Sequence, residues 1–216
     1  MKHLDLFLII ALLMMHPAVA AEDNPSTPDP NNTAAVAGDA NPNVEQKNPL
    51  RFLVGAGLTV GGDKLGTMTY SDGSTDSITA GGLLMLYGGL DYRLNNTFSL
   101  QGTLGYHFDA TKKATNGEVT FSRIPLELLA YYHISEAIRL GAGIRYVASP
   151  RIKGSGIASS ANDSFDNATG VAIEGEFMAT PILGIKVRHV TEKYRKTGFS
   201  GSIDGSHFGV LASVYF

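Results

Sequence analysis

The 216-residue chain has no cysteine and no tryptophan, and only 17% of its residues are charged. Without cysteine there is no disulfide, no thiolate nucleophile and no thiolate metal site. Beyond the amino terminus no apolar run approaches the roughly 20 residues of a spanning helix, which excludes a bundle of such helices. The net charge of −3 gives no basic surface of the kind nucleic acid requires. An apolar fraction of 44% is too high for a disordered chain. Glycine, in contrast, is abundant: 25 residues, well above the roughly 7% of an average chain.

The ends differ from the body. Lys2 and His3 precede an unbroken apolar stretch from Leu6 to Met15, followed by Pro17 and the small residues Ala18-Val19-Ala20. This is the pattern of an export signal over 1–20, too short to span a bilayer. Residues 21–48 hold Pro25, Pro28, Pro30 and Pro42 among Asn, Asp and Ala, and are expected to be a disordered periplasmic linker. Glu22, Asp23, Asp29, Asp39 and Glu45 against Lys47 place the acidic balance of the chain in this segment.

From residue 49 onward, apolar residues alternate with glycine and polar residues in eight stretches. In the first, Phe52, Val54, Ala56, Leu58 and Val60 oppose Gly55, Gly57, Thr59 and Gly61. The second is read over Ile78 to Arg93, and the third places Phe98, Leu100, Leu104, Tyr106 and Phe108 on one face. The next four centre on Ile124–Tyr132, Ile138–Tyr146, Val171–Phe177 and Leu183–Val190. The last ends on Phe208, Val210, Ala212, Val214 and Phe216. Connections near Asn95, Ser135 and Thr180 are short. Those at about 62–77, 110–118, 148–168 and 192–205 are long and rich in Gly, Ser, Asp and Asn.

Strict alternation of short and long connections predicts an all-β, eight-stranded antiparallel up-and-down barrel. A soluble lipocalin-like barrel would put the apolar face inside; a transmembrane barrel puts it outside, against lipid. Glycine, Asp, Glu, Lys and Arg share one face, strand length matches a tilted crossing, and aromatics lie near both ends of the apolar face. All three favour the membrane. The inward set is then Arg123, Glu127, Arg139, Arg145, Glu174, Glu176, Lys186 and Arg188. Eight strands leave a bore just wide enough for side chains. Buried charges must pair, so a closed, salt-bridged interior is expected.

This pattern resembles the small eight-stranded outer-membrane barrels of Gram-negative bacteria, the group of the outer membrane protein A transmembrane domain, OmpX and OmpW. The resemblance covers residues 49–216. It rests on the signal, the alternating strands, the loop asymmetry and the terminal Phe216. It implies the outer membrane as location, and outer-membrane lipids, lipopolysaccharide and the barrel-assembly machinery as partners. It also implies that Phe216 belongs to the signal that machinery reads, and that the chain is a monomer. Clusters at Lys112-Lys113, Arg151 with Lys153, and Lys193 with Arg195-Lys196 suit phosphates of the outer leaflet.

The resemblance admits rival roles. A narrow pore for small or hydrophobic solutes is one; a lipid A-modifying acyl enzyme is another. A lipid A deacylase of this group uses a lipid-facing His-x-Ser-Asn. Here His189-Val190-Thr191-Glu192 departs from it at two positions, and no orienting acid accompanies His189. The palmitoyltransferase type uses His, Asp and Ser near the rim, where His107 and Asp109 share a face. His207 is another inward rim residue. His189 reads more simply as an interfacial residue at the level of the outer leaflet's headgroups, and His107 with Asp109 as a polar rim pair. Oxygen-rich stretches at 72–76 and 162–167 lack the spacing of a calcium loop. The expected role is therefore structural or surface-interacting, carried by extracellular loops, with no enzyme activity, metal or cofactor.

Overall fold

The computed structural model describes residues 48–69, 73–111, 117–156 and 158–216. The signal, the linker up to residue 47, and Lys112 and Lys113 lie outside the described residues. There is no helix among the described residues. The strands are β1 (Leu50–Gly61), β2 (Lys64–Thr69), β3 (Thr75–Thr79), β4 (Leu83–Arg93), β5 (Phe98–Ala110), β6 (Gly117–His133), β7 (Ile138–Gly156), β8 (Asp163–Ser164), β9 (Ala168–Thr180), β10 (Leu183–Arg195), β11 (Ser202–Asp204) and β12 (His207–Tyr215).

Eight of these close a ring. β1 pairs with β4, and pairing continues antiparallel through β5, β6, β7, β9, β10 and β12, which returns to β1. Closure removes every sheet edge from the barrel wall, which is what a bilayer demands of β-structure. The register is staggered. Partners traced from Leu53 through Gly89, Thr103, Glu127, Arg145 and Gly170 reach Glu192. Glu192 bonds Gly205, and the trace comes back at Asp63 rather than Leu53, about ten residues along the chain. That offset tilts the strands.

The three short turns share one device. Asn95 Oδ1 accepts from the amides of Thr97 and Phe98, both at 2.8 Å. Ser135 Oγ does the same for Ala137 and Ile138, and Thr180 Oγ1 for Ile182 and Leu183. In each case a side-chain oxygen satisfies amides that the ladder leaves open, so a small polar residue fixes the reversal.

Side-chain alternation sends two different surfaces to the two sides of the wall. Outward residues are apolar and exposed: Phe52, Leu58 and Val60 at 63%, 60% and 69%, with Leu104, Leu126, Leu140, Ile144, Ile173, Val187 and Val210 continuing the belt. Exposed apolar surface on this scale is incompatible with water and matches the lipid-facing band of a transmembrane barrel. Phe98 packs on Tyr132 at one margin and Tyr106 on Phe108 towards the other, with ring centroids 5.6 and 5.7 Å apart.

The strand read over Ile78 to Arg93 is in fact two. Ile78 belongs to β3, which forms a hairpin with β2, and the barrel strand β4 begins at Leu83. The long connections are also more structured than their composition suggests. β7 runs on to Gly156, β10 to Arg195, and β8 and β11 pair with these extensions. Gly, Ser and Asn in these stretches conceal the alternation, because their side chains carry no apolar signal.

Glycines on the inner face permit close approach. A Cβ on Gly141 would stand 2.6 Å from the Tyr131 ring, and one on Gly143 would run into the Leu128 carbonyl oxygen of the paired strand. Gly143→Val is therefore expected to block closure between β6 and β7. The unboiled protein would lose its compact, faster-migrating gel band, whereas a retained band would show that the wall tolerates a side chain there.

Candidate functional site

The inward positions of the eight strands assemble one continuous feature, a column of alternating charge. At the short-turn mouth Arg51 Nη2 lies 2.7 Å from Asp91 Oδ2. Asp91 Oδ1 is 2.8 Å from Arg139 Nη1, and Arg139 Nη2 is 2.7 Å from Glu176 Oε2. Lys186 Nζ bridges Glu176, at 3.8 Å, and Glu174, at 3.0 Å. Arg188 continues it between Glu174, at 3.6 Å, and Glu127, at 2.8 Å. Arg145 pairs with the same Glu127 oxygen and, through Nε at 2.7 Å, with Glu192. Cations and carboxylates alternate one for one along the bore.

Strand register explains the order. On β10 and β9, Lys186 faces Glu176 and Arg188 faces Glu174; on β6 and β7, Glu127 faces Arg145. Every member except Arg51 is nearly inaccessible to solvent. A charge taken from water is tolerated only with its counter-charge and hydrogen bonds in place. Phenols and amides supply the remaining bonds. Tyr215 Oη accepts from Arg139 Nη2 and donates to Glu176 Oε1, both at 2.6 Å. Tyr131 donates to Glu174, and its ring lies 4.1 Å from the Arg139 guanidinium carbon. Lys186 also donates to Gln101 Oε1 at 2.6 Å, and Tyr194 donates to Glu192.

Of the residues read from the sequence, Glu127, Arg139, Arg145, Glu174, Glu176, Lys186 and Arg188 lie in the column. Arg123 does not. Its Nη2 donates to the Gly82 carbonyl at 3.2 Å and lies 3.0 Å from His107 Nε2. The column's other members are Arg51, Asp91 and Glu192. Asp91 shares the inner parity of Met85 and Tyr87, so its place was readable. Glu192 shares the parity of Lys186 and Arg188 but falls in a stretch whose composition suggests a loop.

The two mouths differ. At the long-loop end Ile78, Ala80, Phe121, Val147, Ile152, Phe165, Ala168 and Tyr194 form a buried apolar cluster, with Leu65, Val119 and Ile203 against it. Phe121 meets Phe165 and Tyr194 edge-on, each at 5.7 Å. This cap crosses the bore above the column. At the short-turn end a cleft of about 370 Å³ opens instead, lined by Arg51, Arg93, His133, Glu136 and Arg139 among others.

The residues weighed as catalytic are each tied to other partners, although the His107 and His207 rings meet edge-on at 5.1 Å. His107 contacts Thr59 Oγ1 at 2.8 Å, while Asp109 accepts from Thr79 N and Oγ1 at 2.8 and 3.2 Å. His207 Nδ1 donates to the Gly205 carbonyl. His189 faces outward, packed on Phe208 at 4.4 Å with Thr191 Oγ1 at 3.3 Å. Above the apolar belt Arg151, Lys153, Lys193 and Arg195 are exposed, and Lys196 pairs with Asp163 at 2.7 Å. Hydrogen bonds from Ser206 hold the neighbouring Asp204 carboxyl below its ordinary range.

No protein-family model and no curated protein matches the chain. Its fold is similar to that of Ail, the attachment invasion locus protein of Yersinia pestis. The two are 12% identical with a TM-score of 0.50, over 77% of this chain and 99% of Ail. Neisserial surface protein A aligns at 12% identity and TM-score 0.49, over 78% of this chain and 97% of its own. OprG from Pseudomonas aeruginosa aligns at 13% and 0.44, over 78% and 96%. The chain has the fold of the small eight-stranded outer-membrane β-barrels, and its apolar belt requires a bilayer around it.

Arg139 sits between two acids, so its removal leaves Asp91 and Glu176 buried with less compensation. Arg139→Met is expected to lower unfolding free energy by about 3–5 kcal/mol, the usual cost of breaking a buried pair from one side. Urea unfolding in lipid vesicles measures this; an unchanged midpoint would show that the pairs carry no stability.

Proposed function

We propose that the protein is a closed outer-membrane barrel with a structural and surface-interaction role. The observation that carries this reading is the filled bore: the charge column occupies its length and the apolar cap crosses its outer mouth. A solute would have to break several buried ion pairs in sequence, each in surroundings where separated charges are costly. A narrow pore is the weaker reading for that reason.

The surface above the belt supports an interaction role. Arg151 and Lys153 on β7, and Lys193 and Arg195 on β10, are exposed just beyond the apolar band. That is the level of outer-leaflet headgroups, where guanidinium and ammonium groups suit phosphates. Ail, which shares the fold, has been solved with the heparin analogue sucrose octasulfate. A polyanionic partner, lipopolysaccharide first, fits these cations. An acyl enzyme is disfavoured by the surroundings of His189, which pair it with Thr191 and Phe208 rather than with an orienting acid.

Reconstituted in a planar bilayer, the intact protein is expected to give no steady conductance steps. Sustained channels from the pure protein would overturn the closed-barrel reading and restore the pore.

A further inference from the structure

The apolar belt has a recess on its lipid-facing side. Gly175 takes an outward position on β9, with Leu140 of β7 and Val187 of β10 as its register partners. Around it opens a groove of about 390 Å³, lined by Leu140, Ile173, Gly175, Val187, His189 and Phe208 among others. Leu140, Ile173, Val187 and Phe208 are exposed on the outer wall, so the groove faces lipid. Its floor is open. A Cβ on Gly175 would meet one atom within 4 Å, Leu140 Cδ2 at 3.6 Å.

A recess in a membrane belt selects differently from one in water. Lipid tails are as apolar as leucine, so the hydrophobic effect gives a chain no preference for one part of the belt. Van der Waals contact does. A chain on a flat belt touches protein on one side, whereas a chain in the groove is touched on several. The groove therefore holds one acyl chain longer than its neighbours around the barrel.

The outward residues of β10 give that chain a direction. They read Val187, His189, Thr191, Lys193 and Arg195: apolar at the groove, polar above it, cationic at the top. Tail, ester and phosphate follow in the same order in a phosphate-bearing lipid. Val187 to Lys193 is six residues along the strand, about 20 Å at the rise of a β-strand. At a tilt of about 40° this is a rise of about 15 Å, half the hydrocarbon thickness of a bilayer. Two acids temper the cations. Asp204 faces Lys193 across the ladder, and the Asp166 amide donates to the Arg195 carbonyl. The recess, rather than net charge, carries the selection.

We propose that one acyl chain of an outer-leaflet lipopolysaccharide lies in the Gly175 groove, with its lipid phosphates at the level of Lys193 and Arg195. The partner is taken from the surface reading above, on which this inference rests. What it adds is a site on the barrel wall itself.

Native mass spectrometry tests it, on purified protein released from phosphatidylcholine nanodiscs that contain lipid A. The protein is expected to keep one lipid A molecule. Gly175→Phe fills the groove without entering the bore and is expected to lower the lipid-bound fraction about tenfold. Gly102→Phe is the control. Gly102 shares the outward face of Leu100 and Leu104, and a Cβ there meets nothing within 4 Å. That variant is expected to keep the lipid, and both variants the compact gel band. No retained lipid A in the unmodified protein, or equal retention in Gly175→Phe, would overturn the proposal. So would a dimer that Gly175→Phe dissolves, which would make a second copy the occupant. Lipopolysaccharide stripped of its acyl chains reads the surface cations alone. If it binds while Gly175→Phe still keeps lipid A, the groove falls and the surface reading stands. If it does not bind while Gly175→Phe loses lipid A, the groove stands and the headgroup contact falls.

Discussion

A charge inside a membrane barrel has no water to fall back on, and this constraint shapes the rest of the structure. The inner face carries Asp91, Glu127, Glu174, Glu176 and Glu192 with Arg51, Arg139, Arg145, Lys186 and Arg188. Left unpaired, any one of them other than Arg51 at the mouth would be costly enough to threaten a fold of ordinary stability. Alternation solves the problem for all of them together, because each interior cation stands between two acids. The column is therefore one object rather than a set of separate bridges, and its members are expected to depend on one another.

The surrounding architecture serves that object. Strand stagger sets which inward residues meet at each level. Inner glycines at 141 and 143 leave room for the Tyr131 ring and for close approach of the neighbouring strand. Tyr131 and Tyr215 then act as braces, with an aromatic face beside a guanidinium and a hydroxyl between acid and base. Outside, the same alternation delivers an unbroken apolar belt. A single period-2 pattern thus accounts for a lipid-facing wall and a charged interior, and for a composition whose average hydropathy conceals a membrane protein.

The barrel was legible in the sequence because strand alternation is a local signal. Phe98 to Phe108 or Ile138 to Tyr146 declare their faces residue by residue, and Asn95, Ser135 and Thr180 mark reversals through ordinary turn chemistry. The pairing of β9 with β10 followed from adjacency, which brought Glu174 and Glu176 to Arg188 and Lys186. What stayed hidden depends on distant contacts. Phe121, Phe165 and Tyr194 meet in the cap from three separate segments, and no local pattern announces it. Ile78 continues the apolar spacing of β4, so the break at Ala80–Gly82 went unseen. Arg123 has the parity of the column but lies too far along β6 to reach a carboxylate.

The central claim is that the column is energetically coupled. A double-mutant cycle on Glu127 and Arg188, using Glu127→Gln, Arg188→Met and the double variant, tests it by urea unfolding in lipid vesicles. The account predicts that the double variant loses clearly less stability than the two single losses added together, by about 1 kcal/mol or more. Strictly additive losses would contradict it, and would mean that these charges fill the bore without holding it together.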